Sequence, residues 1–270
     1  MRCAVLGDPI AHSLSPVLHR AAYDVLGLDW TYEALRVPSG GLADLVSSLD
    51  NTWRGLSLTM PLKREVLDLV EERSEAVRLA GAANTVVLDG GSARLDNTDL
   101  PGAVAAVRER WDGDVDRATV RGGGATAAST GLAMAELGAR EITLLARSPE
   151  RAREAADAVR RHPSQPVVLV GDLSQAVVGD VVVSTIPAAA QDAELVRRCV
   201  VAPCVFEVLY DPWPTPLAAA AGDAGHVLVG GLDLLVHQAV LQVELFTGHE
   251  VPLEAVRAAG TAALEARASA

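Results

Sequence analysis

Short apolar runs alternate with segments whose apolar positions recur at helical spacing, from residue 3 almost to the end of the chain. Such alternation predicts an α/β fold with parallel sheets. Residues 3–6 read as a strand. Ser15 and Pro16 then open a helix, Ser15 as N-cap and Pro16 in the first helical position. Val17, Leu18, Ala21, Ala22, Val25 and Leu26 follow on one face, and Gly27 stops it. Strands are predicted at 31–36 and 56–58, and helices at 41–49 and from Pro61 to about residue 72. Residues 84–88 and 93–95 read as a hairpin closed by Asp89-Gly90-Gly91. The cycle restarts near Ala118 with a strand, a glycine turn and a helix ending at Gly138. Strands at 141–145, 167–170, 181–184, 205–209 and 227–229 follow, with a helix over 149–161. The stretches LDLLVHQAVLQVELF and LEAVRAAGTAALEARA read as two closing helices.

The chain has 270 residues. At roughly 150 residues per domain, two domains are expected. A net charge of −12 argues against nucleic acid and against an anionic membrane surface as partners. An anionic ligand would therefore need local donors or cations. No apolar run approaches the roughly 18 residues of a membrane span, and the N-terminus lacks a signal-peptide pattern. Cys3, Cys199 and Cys204 form no CxxC pair, which argues against a disulfide framework and a zinc site. The expectation is a cytoplasmic protein without metal.

Gly122-Gly123-Gly124-Ala125-Thr126-Ala127 fits G-x-G-x-x-A between a strand and a helix. There the first glycine permits the tight turn, the second lets a pyrophosphate approach the backbone, and the helix N-terminus supplies N–H groups. A plain glycine-rich loop is the competing reading, and Arg121 stands where an apolar residue is usual. The next strand ends in Ala146-Arg147-Ser148, with no carboxylate for a ribose 2′-hydroxyl. Arg147, Ser148 and Arg151 can instead bind a 2′-phosphate, which favours NADP over NAD. Solvated surface arginines are the alternative.

Four polar segments interrupt the N-terminal half: His12 to Pro16, Ser57 to Lys63, Gly81 to Thr85 and Asp96 to Gly102. Ser13 and Ser15 sit beside a helix N-terminus, where a carboxylate is favoured, although capping alone accounts for Ser15. Lys63 alone reads as a solvated charge, and Asp99 as a helix cap. Paired with a carboxylate, however, a lysine ammonium is held in place and can exchange a proton with an alcohol or ketone oxygen. A dinucleotide would supply the hydride.

GDPIAHSLSP, LTMPLK, GAANT, DNTDLPG, GGGATA, ARSPER, STIP, FEVLYDPWPTPL and GGLDLLVHQ, in this order, resemble the shikimate dehydrogenase family over nearly the whole chain. The resemblance implies two α/β domains with an interdomain cleft. Residues 1–100, completed by 236–270, would form the substrate domain, and 101–235 a Rossmann-like NADP domain. It implies that Ser13, Ser15, Thr59, Asn84, Asp99, Tyr210 and Gln238 bind shikimate. Lys63 would be the catalytic acid/base, also touching substrate, with Asp99 as its partner. Gly122, Gly123, Gly124, Ala125, Thr126 and Ala127 would hold the pyrophosphate, and Arg147, Ser148 and Arg151 the 2′-phosphate. Thr185, Val208 and Gly231 would line the nicotinamide half. The implied activity is NADPH-dependent, reversible reduction of 3-dehydroshikimate to shikimate, by a monomer or homodimer. A quinate or aminoshikimate dehydrogenase, or a non-catalytic NADP-sensing domain, are the rivals. Ser57 and Glu207 stand where this family commonly has Asn and Asp, and Ala146 and Ser148 where it has Asn and Thr.

Overall fold

The apolar runs assemble into two six-stranded sheets in a computed structural model, which describes residues 1–269. The first unit comprises Met1–Thr98 and the chain from Leu235 onward; the second comprises Asp99–Leu234.

In the first unit the order is β1 (Arg2–Gly7), α1 (Ser15–Val25), β2 (Thr31–Arg36), α2 (Leu42–Ser47) and β3 (Trp53–Leu58). Then come α3 (Leu62–Glu65), β4 (Glu72–Arg73), α4 (Glu75–Ala80), β5 (Thr85–Asp89) and β6 (Ser92–Asp96). The sheet runs β2-β1-β3-β5-β6-β4. β1, β2 and β3 are parallel, while β5 is antiparallel to both β3 and β6. The predicted hairpin is what makes this sheet mixed. The long helix expected from Pro61 is not formed. α3 gives way to a 3-10 turn over Val66–Asp68, and β4 pairs with β6. α4, which the apolar spacing does not announce, is capped by Ser74 and stopped by Gly81 at φ +62°.

The second unit runs α5 (Asp99–Arg110), β7 (Arg117–Arg121), α6 (Ala125–Glu136), β8 (Glu141–Ala146), α7 (Pro149–Arg160) and β9 (Val167–Asp172). β10 (Val181–Ser184), α8 (Ala193–Cys199), β11 (Cys204–Glu207), α9 (Pro216–Asp223) and β12 (Val227–Val229) complete it. Its sheet order, β12-β11-β10-β7-β8-β9, is wholly parallel. Strand order reverses between β7 and β10. In an open doubly wound sheet, ligands bind at the carboxyl ends of the strands flanking that reversal.

α10 (Gly231–Thr247) and α11 (Leu253–Ala268) are the two predicted closing helices. α11 packs on α1, and Arg267 donates to the His12 carbonyl at 2.9 Å. Phe246 of α10 lies over Gly55 of β3, where a Cβ would come within 2.2 Å of the ring. In the first unit the core is built from Leu6, Leu42, Leu56, Leu62, Val66, Val86 and Leu95, all buried. Among the described residues no helix is long and apolar enough to cross a membrane.

His19 of α1 is fully buried and stacks on Tyr32 at 4.0 Å between ring centroids. Burial lowers its imidazole to about 3, against a weaker opposing effect of its bond to Gln242. An unfolded histidine titrates near 6.5, so between these values only the unfolded chain takes up the proton. Stability is thus lost as pH falls from about 6.5 toward 3, by about 1.4 kcal/mol per unit for this group. His19→Gln should flatten the slope of unfolding free energy against pH by about one proton between about pH 6 and 4. Urea titrations at several pH values measure this; an unchanged slope would place the imidazole in water.

Candidate active site

The polar segments of the first unit meet at one edge of its sheet. β1 and β3 end there, and β5, running the other way, begins there, with Ser57 opposite Thr85. Backbone bonds tie the segments together. Leu58 N–H donates to the Asn84 carbonyl and Ala83 N–H to the Lys63 carbonyl, each at 2.7 Å, and Thr59 N–H to the Leu6 carbonyl at 2.9 Å. Thr59, Lys63 and Asn84 are thus brought together, Lys63 half-buried on α3 and Asn84 buried.

The expected cap at Ser15 is not made. Ser15 is the first residue of α1, Leu14 takes the cap position, and no side chain caps the helix. The Ser15 N–H instead donates to Ser13 Oγ at 3.3 Å, and its hydroxyl bonds the Tyr32 phenol. The hydroxyl of Ser15 is therefore engaged with the sheet rather than with its own helix. Tyr32 donates to Ser57, and Ser57 to Gln242 Oε1 at 2.7 Å. Gln242 Nε2 donates to the Asn84 carbonyl at 3.1 Å and to Thr85 Oγ1 at 2.9 Å. Asn84 Nδ2 faces Thr98 Oγ1 at 2.9 Å and Gln238 Oε1 at 3.3 Å. The network joins Ser13, Ser15, Asn84 and Gln238. Of its linking members, Tyr32 and Gln242 lie outside the polar segments of the sequence, and Ser57, Thr85 and Thr98 lie within them without a role that the pattern assigns. The spacing of Gln242, one helical turn beyond Gln238 on the same face, was the available signal.

In the second unit the glycine turn lies at the strand-order reversal. Gly122 follows β7 with φ +135°, and a Cβ there would sit 1.9 Å from Thr185 Oγ1. Thr185 follows β10; its N–H and hydroxyl both donate to the Arg121 carbonyl at 2.9 Å. A Cβ on Gly123 would lie 2.1 Å from the Arg151 carbonyl oxygen, so this glycine sits against the start of α7. Gly124, the α6 cap residue, faces open space and caps with no side chain. Thr126 and Ala125 are half-buried and Ala127 buried on α6; Arg147 and Arg151 are exposed on either side of Ser148. Val208 N–H donates to the Ser184 carbonyl at 3.1 Å. Gly231 lies against Val208, a Cβ there meeting its carbonyl oxygen at 2.5 Å. Asp99, buried at the start of α5, and the half-buried Tyr210 also belong to this unit.

These features fit a dinucleotide: a cradle where side chains would collide, uncapped amides opening onto free space, and arginines beside it. Arg121 is wholly buried, its Nη2 donating to the Leu173 carbonyl at 2.8 Å. The buried Glu207 accepts from Gln191 Nε2 at 2.6 Å, Thr215 Oγ1 at 3.0 Å and Leu209 N–H at 3.1 Å. Burial raises its carboxyl, and these donors counteract part of that shift. The extra methylene relative to Asp extends the carboxylate toward Gln191, fastening the segment that carries Val208 and Tyr210. Cys3 and Cys204 are pushed by burial up to about 11 and about 12, so neither offers a thiolate near neutrality. Among the described residues no cluster of His, Cys, Asp or Glu could hold a metal.

Residues 5–86 match the shikimate dehydrogenase substrate binding domain, and residues 231–259 the shikimate 5′-dehydrogenase C-terminal domain. A shikimate dehydrogenase (NADP(+)) of Methanothermobacter thermautotrophicus is 31% identical over 93% of this chain and 92% of its own. The chain belongs to the shikimate dehydrogenase family. Among solved structures, Mycobacterium tuberculosis shikimate dehydrogenase is 40% identical, with a TM-score of 0.88 over 97% of this chain and 99% of that one. The shikimate 5-dehydrogenase of Thermus thermophilus, in complex with NADP(H) and shikimate, is 28% identical, with a TM-score of 0.84 over 98% of this chain and 100% of that one.

Proposed function

We propose that this shikimate dehydrogenase family member reduces 3-dehydroshikimate to shikimate, reversibly, with NADPH. Correspondence with a shikimate dehydrogenase (NADP(+)) along nearly the whole of both chains carries this reading. NADPH supplies a hydride to the ring ketone when bound. Lys63 and Asp99 are the titratable groups we assign to the proton step, with Lys63 protonating the developing alkoxide. Ser13 and Ser15 take the substrate carboxylate; Thr59, Asn84, Tyr210 and Gln238 orient the ring. The three buried thiols suit a reducing cytoplasm.

The test is the absorbance of the reduced nicotinamide, followed with shikimate or quinate against NADP or NAD. Fast turnover of shikimate with NADP is expected. Preference for quinate with NAD would move the chain to the rival dehydrogenase, and no turnover at all would favour the sensing domain.

We assign Arg147 and Arg151 to the 2′-phosphate, since both flank Ser148 beside the glycine turn. Replacing both by alanine should raise KM for NADP by about 10- to 100-fold while leaving that for NAD nearly unchanged, since charge-assisted bonds contribute about 1.5–3 kcal/mol. Equal losses for both cofactors would sink the assignment.

A further inference from the structure

In the first unit one hydrogen-bonded chain runs in a single direction through Asn84 to Thr98 and Gln238. The Asn84 carbonyl can only accept, so the Gln242 atom 3.1 Å from it is the amide nitrogen. Gln242 Oε1 is therefore an acceptor, taking the Ser57 hydroxyl at 2.7 Å and His19 Nε2–H at 3.2 Å. Thr85 Oγ1 accepts from the same Gln242 amide at 2.9 Å and gives its one proton to Asn84 Oδ1 at 2.8 Å. Thr98 N–H fills the second acceptor position of that oxygen, also at 2.8 Å. Both lone pairs of Asn84 Oδ1 are engaged, and its Nδ2 donates to Thr98 Oγ1 at 2.9 Å and, over a longer 3.3 Å, to Gln238 Oε1. Gln238 is itself held by Nε2 on the Leu235 carbonyl at 2.8 Å.

We propose that Gln242 and Thr85 are positioning residues that hold the Asn84 amide with its donor end toward Gln238, where a substrate oxygen takes over the longer of its two bonds. The proposal rests on the shikimate dehydrogenase reading and assigns neither residue a contact with substrate. A locked donor suits a ring oxygen, hydroxyl or ketone, which can accept. It disfavours an ammonium group at the same place, which has donors only. The lock thus selects the oxygen-bearing ring acid over its amino analogue. Ser57 completes it: its short side chain passes the Tyr32 bond on to Gln242 at a position where this family commonly carries Asn.

Thr85→Val keeps the shape and removes the relay; Thr85→Ser restores the hydroxyl. Thr85→Val should raise KM for shikimate about tenfold, the scale of one lost buried hydrogen bond, with kcat and KM for NADP little changed. Thr85→Ser should return KM to near its original value. Gln242→Glu keeps the acceptor for Ser57 and His19 but loses the amide donor once the new carboxyl ionises. Its KM for shikimate should therefore climb with pH, which a packing role would not produce. His19 Nε2 faces that position at 3.2 Å; burial lowers it to about 3 in the parent protein and a carboxylate there would raise it, so the rise should also be seen for Gln242→Glu in a His19→Gln background. Equal KM values for Thr85→Val and the parent protein would overturn the lock. So would parallel rises in both KM values with a lowered Tm. If the parent turned over no shikimate, the reading of function would fall instead. The lock would then be decided by NMR hydrogen exchange of the Asn84 side-chain amide: faster exchange in Thr85→Val than in Thr85→Ser supports it, and equal rates overturn it.

Discussion

Lys63→Met should lower kcat by about three orders of magnitude while KM for shikimate changes far less. A general acid contributes about 10²–10⁴-fold, and methionine keeps the length of the side chain without a proton to give. Lys63 is half-buried, and its carbonyl is pinned by Ala83 N–H at 2.7 Å, so the backbone there is held from outside α3. The variant should therefore fold with an unchanged Tm. Steady-state kinetics in both directions checks this. A rise in KM with an intact kcat would make Lys63 a binding group and remove it from the proton step.

Gly123→Val has the second large effect. The new Cβ would lie 2.1 Å from the Arg151 carbonyl oxygen and 2.6 Å from its carbon, both backbone atoms. Neither can swing aside, so the turn or the start of α7 must shift. Misplacing a binding element by about 1 Å can cost about 100-fold, and overpacking costs about 1–3 kcal/mol of stability. KM for NADP should rise by about two orders with KM for shikimate nearly unchanged. Gly124→Ala gives the contrast, because its Cβ meets open space and φ is −88°. Similar NADP losses in both would show that the collision at Gly123 is not what matters.

The second unit is largely legible in the chain. Parallel strands buried on both faces read as apolar runs, and Gly122, Gly138 and Pro149 punctuate them. The first unit is less so. The segment after Pro61 carries a helical pattern, yet α3 gives way after one turn to a 3-10 turn, and β4 pairs with β6 instead. Pairing with a strand distant in sequence outweighs local periodicity there. Ser15 departs from its expected role as a cap because its partner, Tyr32, lies on a strand that only folding brings near. The glycine turn, Lys63 and Asn84 stand out as polar breaks in apolar runs. Gln242 does not, and Ser57 and Thr85, although they lie within such breaks, show no role there, because their partners are assembled only by folding.

The hairpin has a consequence for where the chain can be altered. Because β5 runs backward, Asn84, which precedes a strand, shares an edge with residues that follow strands. A search confined to the segments after parallel strands would pass it over. The same reversal carries the exposed Gly90-Gly91 turn to the opposite rim of the sheet. That rim is a port at which the chain can be lengthened or opened while the rim bearing Asn84 keeps its register.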